Sequence, residues 1–349
     1  MSRTRWLVTA LSFLATFGAS LYLIRENWPA ERADVLLPSA VHLLLLAVTA
    51  LEIASRGLKV MMSARSIGVP LSFTTSVRTV LGGDFGAALT PARSGAEPAR
   101  FLVLAEAGTP AAAALVIMFI ELCFEVVSLA VVALVLAVMF GITGPMAGAL
   151  LGLVGGYALF VFGLGAALVV LAWRNASGPP PGWARRVGLN ALRWRRVQRA
   201  LRQLRTSVAG LREARLAPLV VSLAASTMHV LLRLAVLPIA VLALDPSVPV
   251  ARLLLWPLAL FYGGVVAPAP GGGGFIEVAF RAALGGTIPT AIFAASLIWW
   301  RFYTFYLYIL LGALAAGRTV LRALRGNDEE RREHHAATLA AQGAKALRR

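Results

Sequence analysis

Charge is scarce in this chain. Only 14% of its 349 residues are Asp, Glu, Lys or Arg, against 59% hydrophobic residues, where a soluble domain carries about 25% charged residues. That scarcity, with a mean hydropathy of +0.78, excludes a sizeable soluble domain. Cysteine is nearly missing. The single Cys123 lies in an apolar run, which rules out a disulfide framework and a thiolate metal cluster. The four histidines are scattered without the spacing of a zinc site. No metal or cofactor is expected. Acid is the rarer sign, with 16 Asp and Glu against 33 Lys and Arg and a net charge of +17. The basic residues cluster in connections and tails, the positive-inside pattern of a membrane protein, and not in a nucleic-acid-reading module.

What the chain has in abundance is apolar runs of spanning length. They predict an all-α polytopic membrane protein with about six spans, at 6–24, 35–55, 109–139, 146–173, 216–244 and 289–317. The first run follows Arg3 and Arg5 and is longer than the core of a signal peptide, so it reads as an uncleaved span. Residues 1–317 form one transmembrane domain, and 318–349 a basic cytoplasmic tail. The connection 174–215 holds eleven arginines and one acid, Glu213, and faces the cytoplasm. Within it, Arg195, Arg199, Arg202 and Arg205 alternate with Val197, Leu201, Leu204, Val208 and Leu211 as two faces of an amphipathic helix, suited to anionic lipid. The loops Gly141–Pro145 and Asp245–Pro249 carry no Lys or Arg and read as outer loops.

Counting crossings then constrains two broken segments. Residues 70–107 must enter and leave from the cytoplasm, and 251–287 from the outer side. Each contains a Pro/Gly break followed by a glutamate that opens a new helical run: Thr90-Pro91-Ala92-Arg93-Ser94-Gly95-Ala96-Glu97, and Ala267-Pro268-Ala269-Pro270 leading through Gly271, Gly272, Gly273 and Gly274 to Glu277. Span, re-entrant hairpin, span thus occurs twice in opposite orientation. Such inverted repeats place a transport site near the midplane, where broken backbone is tolerated only inside protein or along a cavity. The alternative is that each segment simply crosses once, as two short helices in line, giving eight spans in all.

An ionisable group at the bilayer centre costs ~2.5–3.5 kcal/mol on insertion scales, so each needs a reason. Glu121 lies ~18 Å along its span from Thr109, and Arg301 ~16 Å from Thr290 on the equivalent span of the other repeat. Their positions predict an ion pair between them. Glu125 shares a face with Glu121, as Arg233 does with His229; these four are candidates for charge balance or coupling. Arg93, Glu97 and Arg100 are spaced for one helix face, and so are Glu277 and Arg281. Helix N-termini, close backbone approach at Gly271–Gly274, and guanidinium groups at Arg93, Arg100 and Arg301 suit a phosphate or carboxylate. Glu97 and Glu277 either cap free N–H groups or join the binding site, in protonation or in holding a cationic head group. The glycine run lacks the G-K-[ST] of a nucleotide loop.

The stretch Leu89–Arg100, the acids Glu121 and Glu125, the run Pro268–Glu277 and Arg301 before an aromatic stretch resemble the lysylphosphatidylglycerol synthase transmembrane-domain family, also called flippase-like. The resemblance covers 6–317. It implies an integral protein of the bacterial cytoplasmic membrane that moves an anionic phospholipid or lipid-linked phosphate between leaflets. The family often has arginine after the first acid of its third-span pair, where this chain has Leu122. No soluble aminoacyl-transferase domain follows the last span, so the chain is not expected to be an enzyme. A membrane-embedded lipid transferase and a non-transporting partner of a lipid-modifying enzyme are the rival readings.

Overall fold

The computed structural model describes residues 36–90, 93–175, 178–182, 184, 191–210, 213–263 and 275–319, with Gly18, Arg25 and Arg322. The expected first span at 6–24, the glycines Gly271–Gly274 and most of the tail lie outside the described residues. Within them the chain is helical without a strand: α1 (Ser39–Ser66), α2 (Phe73–Ala88), α3 (Ala96–Glu106), α4 (Ala111–Met139), α5 (Gly144–Asn175), α6 (Ala191–Gly210), α7 (Leu216–Leu242), α8 (Val250–Gly263), α9 (Phe275–Leu284) and α10 (Thr290–Thr319). Five of these, α1, α4, α7, α10 and the Ala147–Ala167 part of α5, are long and apolar enough to cross a membrane. The protein is therefore a polytopic all-α membrane protein.

Local sequence signals set the boundaries. Pro38, Pro110 and Pro289 precede α1, α4 and α10; their fixed φ suits a helix start, where a missing N–H costs nothing. Ser72 caps α2 by accepting from the Thr75 N–H at 3.1 Å. Gly68 and Gly108 end α1 and α3 in left-handed backbone (φ 76° and 79°). In each case two backbone N–H groups turn back to the last helical carbonyls, Val69 to Ala64 and Gly68 to Arg65, then Thr109 to Leu104 and Gly108 to Ala105. α1 runs to Ser66, eleven residues past its expected end.

Chain direction follows from a few bonds. Arg215 N–H donates to the Ser66 carbonyl (3.0 Å), so α7 starts where α1 ends. At that same end Arg78 near the start of α2 reaches Glu106 at the end of α3 (3.2 Å), and Thr319 at the end of α10 donates to Glu106 (2.6 Å). Helices α2 and α3 therefore form a hairpin whose mouth lies beside the start of α7. At the opposite end Arg252 on α8 donates to Thr287 beyond α9 (2.9 Å), which closes the mouth of a second hairpin where α7 ends. The two hairpins open at opposite ends of the bundle.

The first hairpin packs through glycine. A Cβ on Gly86 would meet the Gly95 carbonyl oxygen at 2.4 Å, and one on Gly312 of α10 would meet the Leu81 carbonyl oxygen at 2.3 Å. In lipid, where apolar contact gives helices no special attraction for one another, small residues that admit backbone to backbone supply the fit. α1 and α7 make the most extensive helix contact among the described residues, held by a Ser63–Ser222 hydroxyl pair (2.9 Å) and a Ser222 bond to the Lys59 carbonyl (3.0 Å). Only 11% of the apolar window of α5 is buried, against 39% for α7. α5 is thus a lipid-facing helix and α7 a central one. The apolar side of α6, with Trp194 and Leu201, is buried against α4 and α5, while Arg195, Arg199, Arg202 and Arg205 face outward.

Candidate functional site

The charges in the spans converge on the tip of the first hairpin. Arg56 on α1 holds Asp84 on α2 with two parallel bonds (2.7 and 3.1 Å), the fork geometry that fixes a guanidinium against a carboxylate. Arg93, in the hairpin tip, reaches the same carboxylate at only 4.0 Å. It is the only described non-glycine residue with positive φ (55°). Such backbone is held at a cost of ~1 kcal/mol or more by its surroundings and is commonest where function needs it. Arg93 therefore precedes α3 instead of continuing its face, and only Glu97 and Arg100 share that helix.

Glu52 is the hub. It is 1% exposed and receives bonds from Arg233 (3.3 Å) and the Tyr308 hydroxyl (2.8 Å), with His229 Nδ1 at 3.4 Å and Arg56 at 3.9 Å. Arg233 also donates to the Thr304 carbonyl (3.2 Å). That carbonyl belongs to a π turn, Phe302–Tyr306, in which the Leu307 N–H bonds back to Phe302. A π turn loosens the α-helical ladder and presents carbonyls sideways, and such turns concentrate at functional sites. On the other side of His229, Glu125 lies 3.6 Å from Nε2 and accepts from Lys59 at 2.7 Å.

Between these groups lies a small cleft, with room for about one water as it stands, lined by Asp84, Ala87, Arg93, Arg233, Thr304, Phe305, Tyr308 and Ile309. Two guanidinium groups on its wall against one carboxylate make it a place for an anion, and Phe305 and Ile309 give it an apolar flank. The second hairpin contributes behind Phe305. Arg301 sits 2.9 Å from Glu277 with its guanidinium 4.1 Å from the centre of the Phe305 ring. Both are nearly fully buried, and neither Glu277 oxygen meets a hydrogen-bond donor in good geometry.

The expected Glu121–Arg301 pair does not form. Arg100 takes Glu121 and also bonds the half-exposed Glu97 at 3.2 Å, while Glu277 takes Arg301. The physical reason is local: each hairpin supplies a partner for the span beside it, so neither charge has to reach across the bundle. Glu121 and Glu125, one turn apart on α4, serve different cations, Arg100 of the first hairpin and Lys59 of α1. Reading the sequence missed Glu52, Arg56, Lys59 and Tyr308 as site residues. The signal is present in the spacing 52, 56, 59, which keeps three charges on one helix stripe, but it shows only when the helix continues past the expected end at 55 to Ser66. Among the described residues no group of His, Cys, Asp and Glu is arranged to hold a metal ion.

No relative is found among the curated proteins. A family model does match, over residues 6–312. That span includes both hairpins, the hub at Glu52 and Arg301, and on it the chain belongs to the family described as the lysylphosphatidylglycerol synthase TM region.

Proposed function

We propose that the protein is a carrier, not an enzyme, and that it moves an anionic, phosphate-bearing lipid between the leaflets of a bacterial cytoplasmic membrane. The two hairpins re-enter from opposite faces as inverted repeats. The head group passes through the polar groove between them while the acyl chains stay in lipid. The observation that carries this reading is the cleft at the first hairpin tip, where Arg93 and Arg233 stand on an apolar-flanked wall at the level of the buried hub. A phosphate there exchanges water for charge-assisted bonds, and Arg93, held less tightly than Arg56, has the freedom to turn to it. Arg100 and Arg301 line the path further along, with Glu97, Glu121, Glu125 and Glu277 balancing charge; the sequence Gly271–Gly274 suits close approach of a ligand to backbone.

Transbilayer movement of head-group-labelled phosphatidylglycerol in proteoliposomes tests it, with a neutral lipid alongside. Arg93→Gly is the informative variant, because glycine adopts the left-handed backbone without strain and the fold is kept. Wild type should move the anionic lipid in preference to the neutral one, and Arg93→Gly should lose at least about tenfold, the loss of one charge-assisted contact of about 1.4 kcal/mol or more. Equal movement by wild type, Arg93→Gly and Arg301→Ala would rule out the groove.

A further inference from the structure

His229 stands between two carboxylates and is bonded to neither. Its Nδ1 lies 3.4 Å from Glu52 and its Nε2 3.6 Å from Glu125, the ring is 3% exposed, and neither nitrogen has a hydrogen-bond partner in good geometry. Buried imidazole nitrogens are ordinarily bonded, so this arrangement is unfinished in one protonation state and completed in another. A neutral ring has one N–H and can donate to one carboxylate only; an imidazolium donates to both.

The charges around it are nearly matched. From α1, Glu52, Arg56 and Lys59 face the ring's surroundings; from α4, Glu125; from α7 itself, Arg233; from the first hairpin, Asp84 and Arg93; from α10, Tyr308. The only charged residue of α8 among those described, Arg252, is turned to Thr287 at the far mouth. Three carboxylates thus meet four permanent cations, an excess of one positive charge that an anion in the cleft cancels. A proton on His229 raises that excess and draws Glu52 toward the imidazolium, which leaves more of the Arg233 guanidinium for the cleft it lines.

We propose that His229 carries the proton that drives the carrier: one proton binds its imidazole together with the anionic head group and leaves with it. The step is a protonation, with one N–H bond formed at His229 on loading and broken on release, the proton coming from and returning to water. Coupling is reciprocal, so anion binding must favour protonation by the factor with which protonation favours anion binding. This inference rests on the carrier reading and adds its energy source.

The experiment uses the full chain in proteoliposomes loaded with a pH-reporting dye, following head-group-labelled phosphatidylglycerol with and without an imposed pH gradient. In wild type, movement in the direction of the proton gradient should be at least about fivefold faster than without it, with protons appearing alongside lipid. In His229→Gln, which keeps a polar side chain of similar reach, the ratio of the two rates should fall to one. Thr287→Val, at the far mouth and outside this cluster, should keep a gradient response, which separates the imidazole from a general effect of substitution. Lipid movement in wild type that ignores the gradient overturns the proton role and leaves the carrier standing. A gradient response retained in His229→Gln overturns it as well. No lipid movement under any gradient overturns the carrier reading and this one with it.

Discussion

The two hairpins are built alike and charged differently. Each opens at one end of the bundle, carries Pro and Gly in the sequence between its two helices, and has an acid in the first turn of the second helix, Glu97 or Glu277. Around the first, Glu52 draws on Arg56, Arg233, His229 and Tyr308 at once. Around the second, Glu277 has Arg301 alone among the described residues. A shared carboxylate tolerates losing a partner and can trade one for another; a lone buried pair cannot. On the carrier reading, this difference in charge separates a half that rearranges from a half that holds.

The largest effect should come from breaking the lone pair. Arg301→Leu strands Glu277 in the interior, which for a buried pair costs about 3–5 kcal/mol. The double variant Glu277→Leu/Arg301→Leu should recover most of that. Arg233→Leu should cost less stability, because Glu52 keeps Arg56 and the Tyr308 hydroxyl, yet it should cost more transport. Unfolding in mixed micelles and lipid movement in vesicles read the two scales separately. Matching losses on both scales for Arg233 and Arg301 would erase the distinction between the halves.

A second test sharpens the same contrast through packing. Gly312→Ala places a methyl 2.3 Å from the Leu81 carbonyl oxygen, where backbone has to move. Overpacking of this kind costs about 1–3 kcal/mol. The loss should appear as a lower unfolding midpoint, with the first hairpin shifted off α10. No change in midpoint would mean that the hairpin is free to slide there.

Much of this was legible in residue order. Apolar length marked the helices of spanning length, with expected starts at 109, 146, 216 and 289 within two residues of Ala111, Gly144, Leu216 and Thr290. Arg93, Glu121, His229, Arg233 and Arg301 stood out because a charge in an apolar run is costly wherever it points. Their partners were less visible. Periodicity places a residue on a face of its own helix, but which other helix covers that face depends on where the hairpins insert. The Gly86–Gly95 and Gly312–Leu81 approaches set that depth, and a glycine in a sequence does not announce its neighbour. Glu52, Arg56 and Lys59 were passed over because charge near a span end ordinarily marks the interface, whereas α1 continues to Ser66 and carries all three into the bundle.

The smallest effect lies at the mouth of the first hairpin, outside the spanning helices. Glu106 accepts from Thr319 at 2.6 Å and from Arg78 at 3.2 Å, and the Thr319 hydroxyl, ahead of the Arg78 charge, holds its carboxyl below the usual range. A carboxylate whose folded pKa is depressed adds stability above its unfolded pKa, and that contribution disappears as pH falls through the folded value. The tie between the hairpin mouth and the end of α10 should therefore weaken on acidification below about pH 4.5, the ordinary range of a glutamate. The groups are partly exposed, so solvent screening keeps the effect within about 1 kcal/mol. Glu106→Gln should lower the unfolding midpoint slightly at neutral pH and remove that part of its acid dependence. The second mouth is closed by a bond from Arg252 to the Thr287 hydroxyl, with no carboxylate in it, so Thr287→Val should lower the midpoint by the same amount at pH 4 and pH 7. An acid dependence that survives Glu106→Gln, or one that appears at the Thr287 mouth, would show that the two ends are not held by the chemistry described.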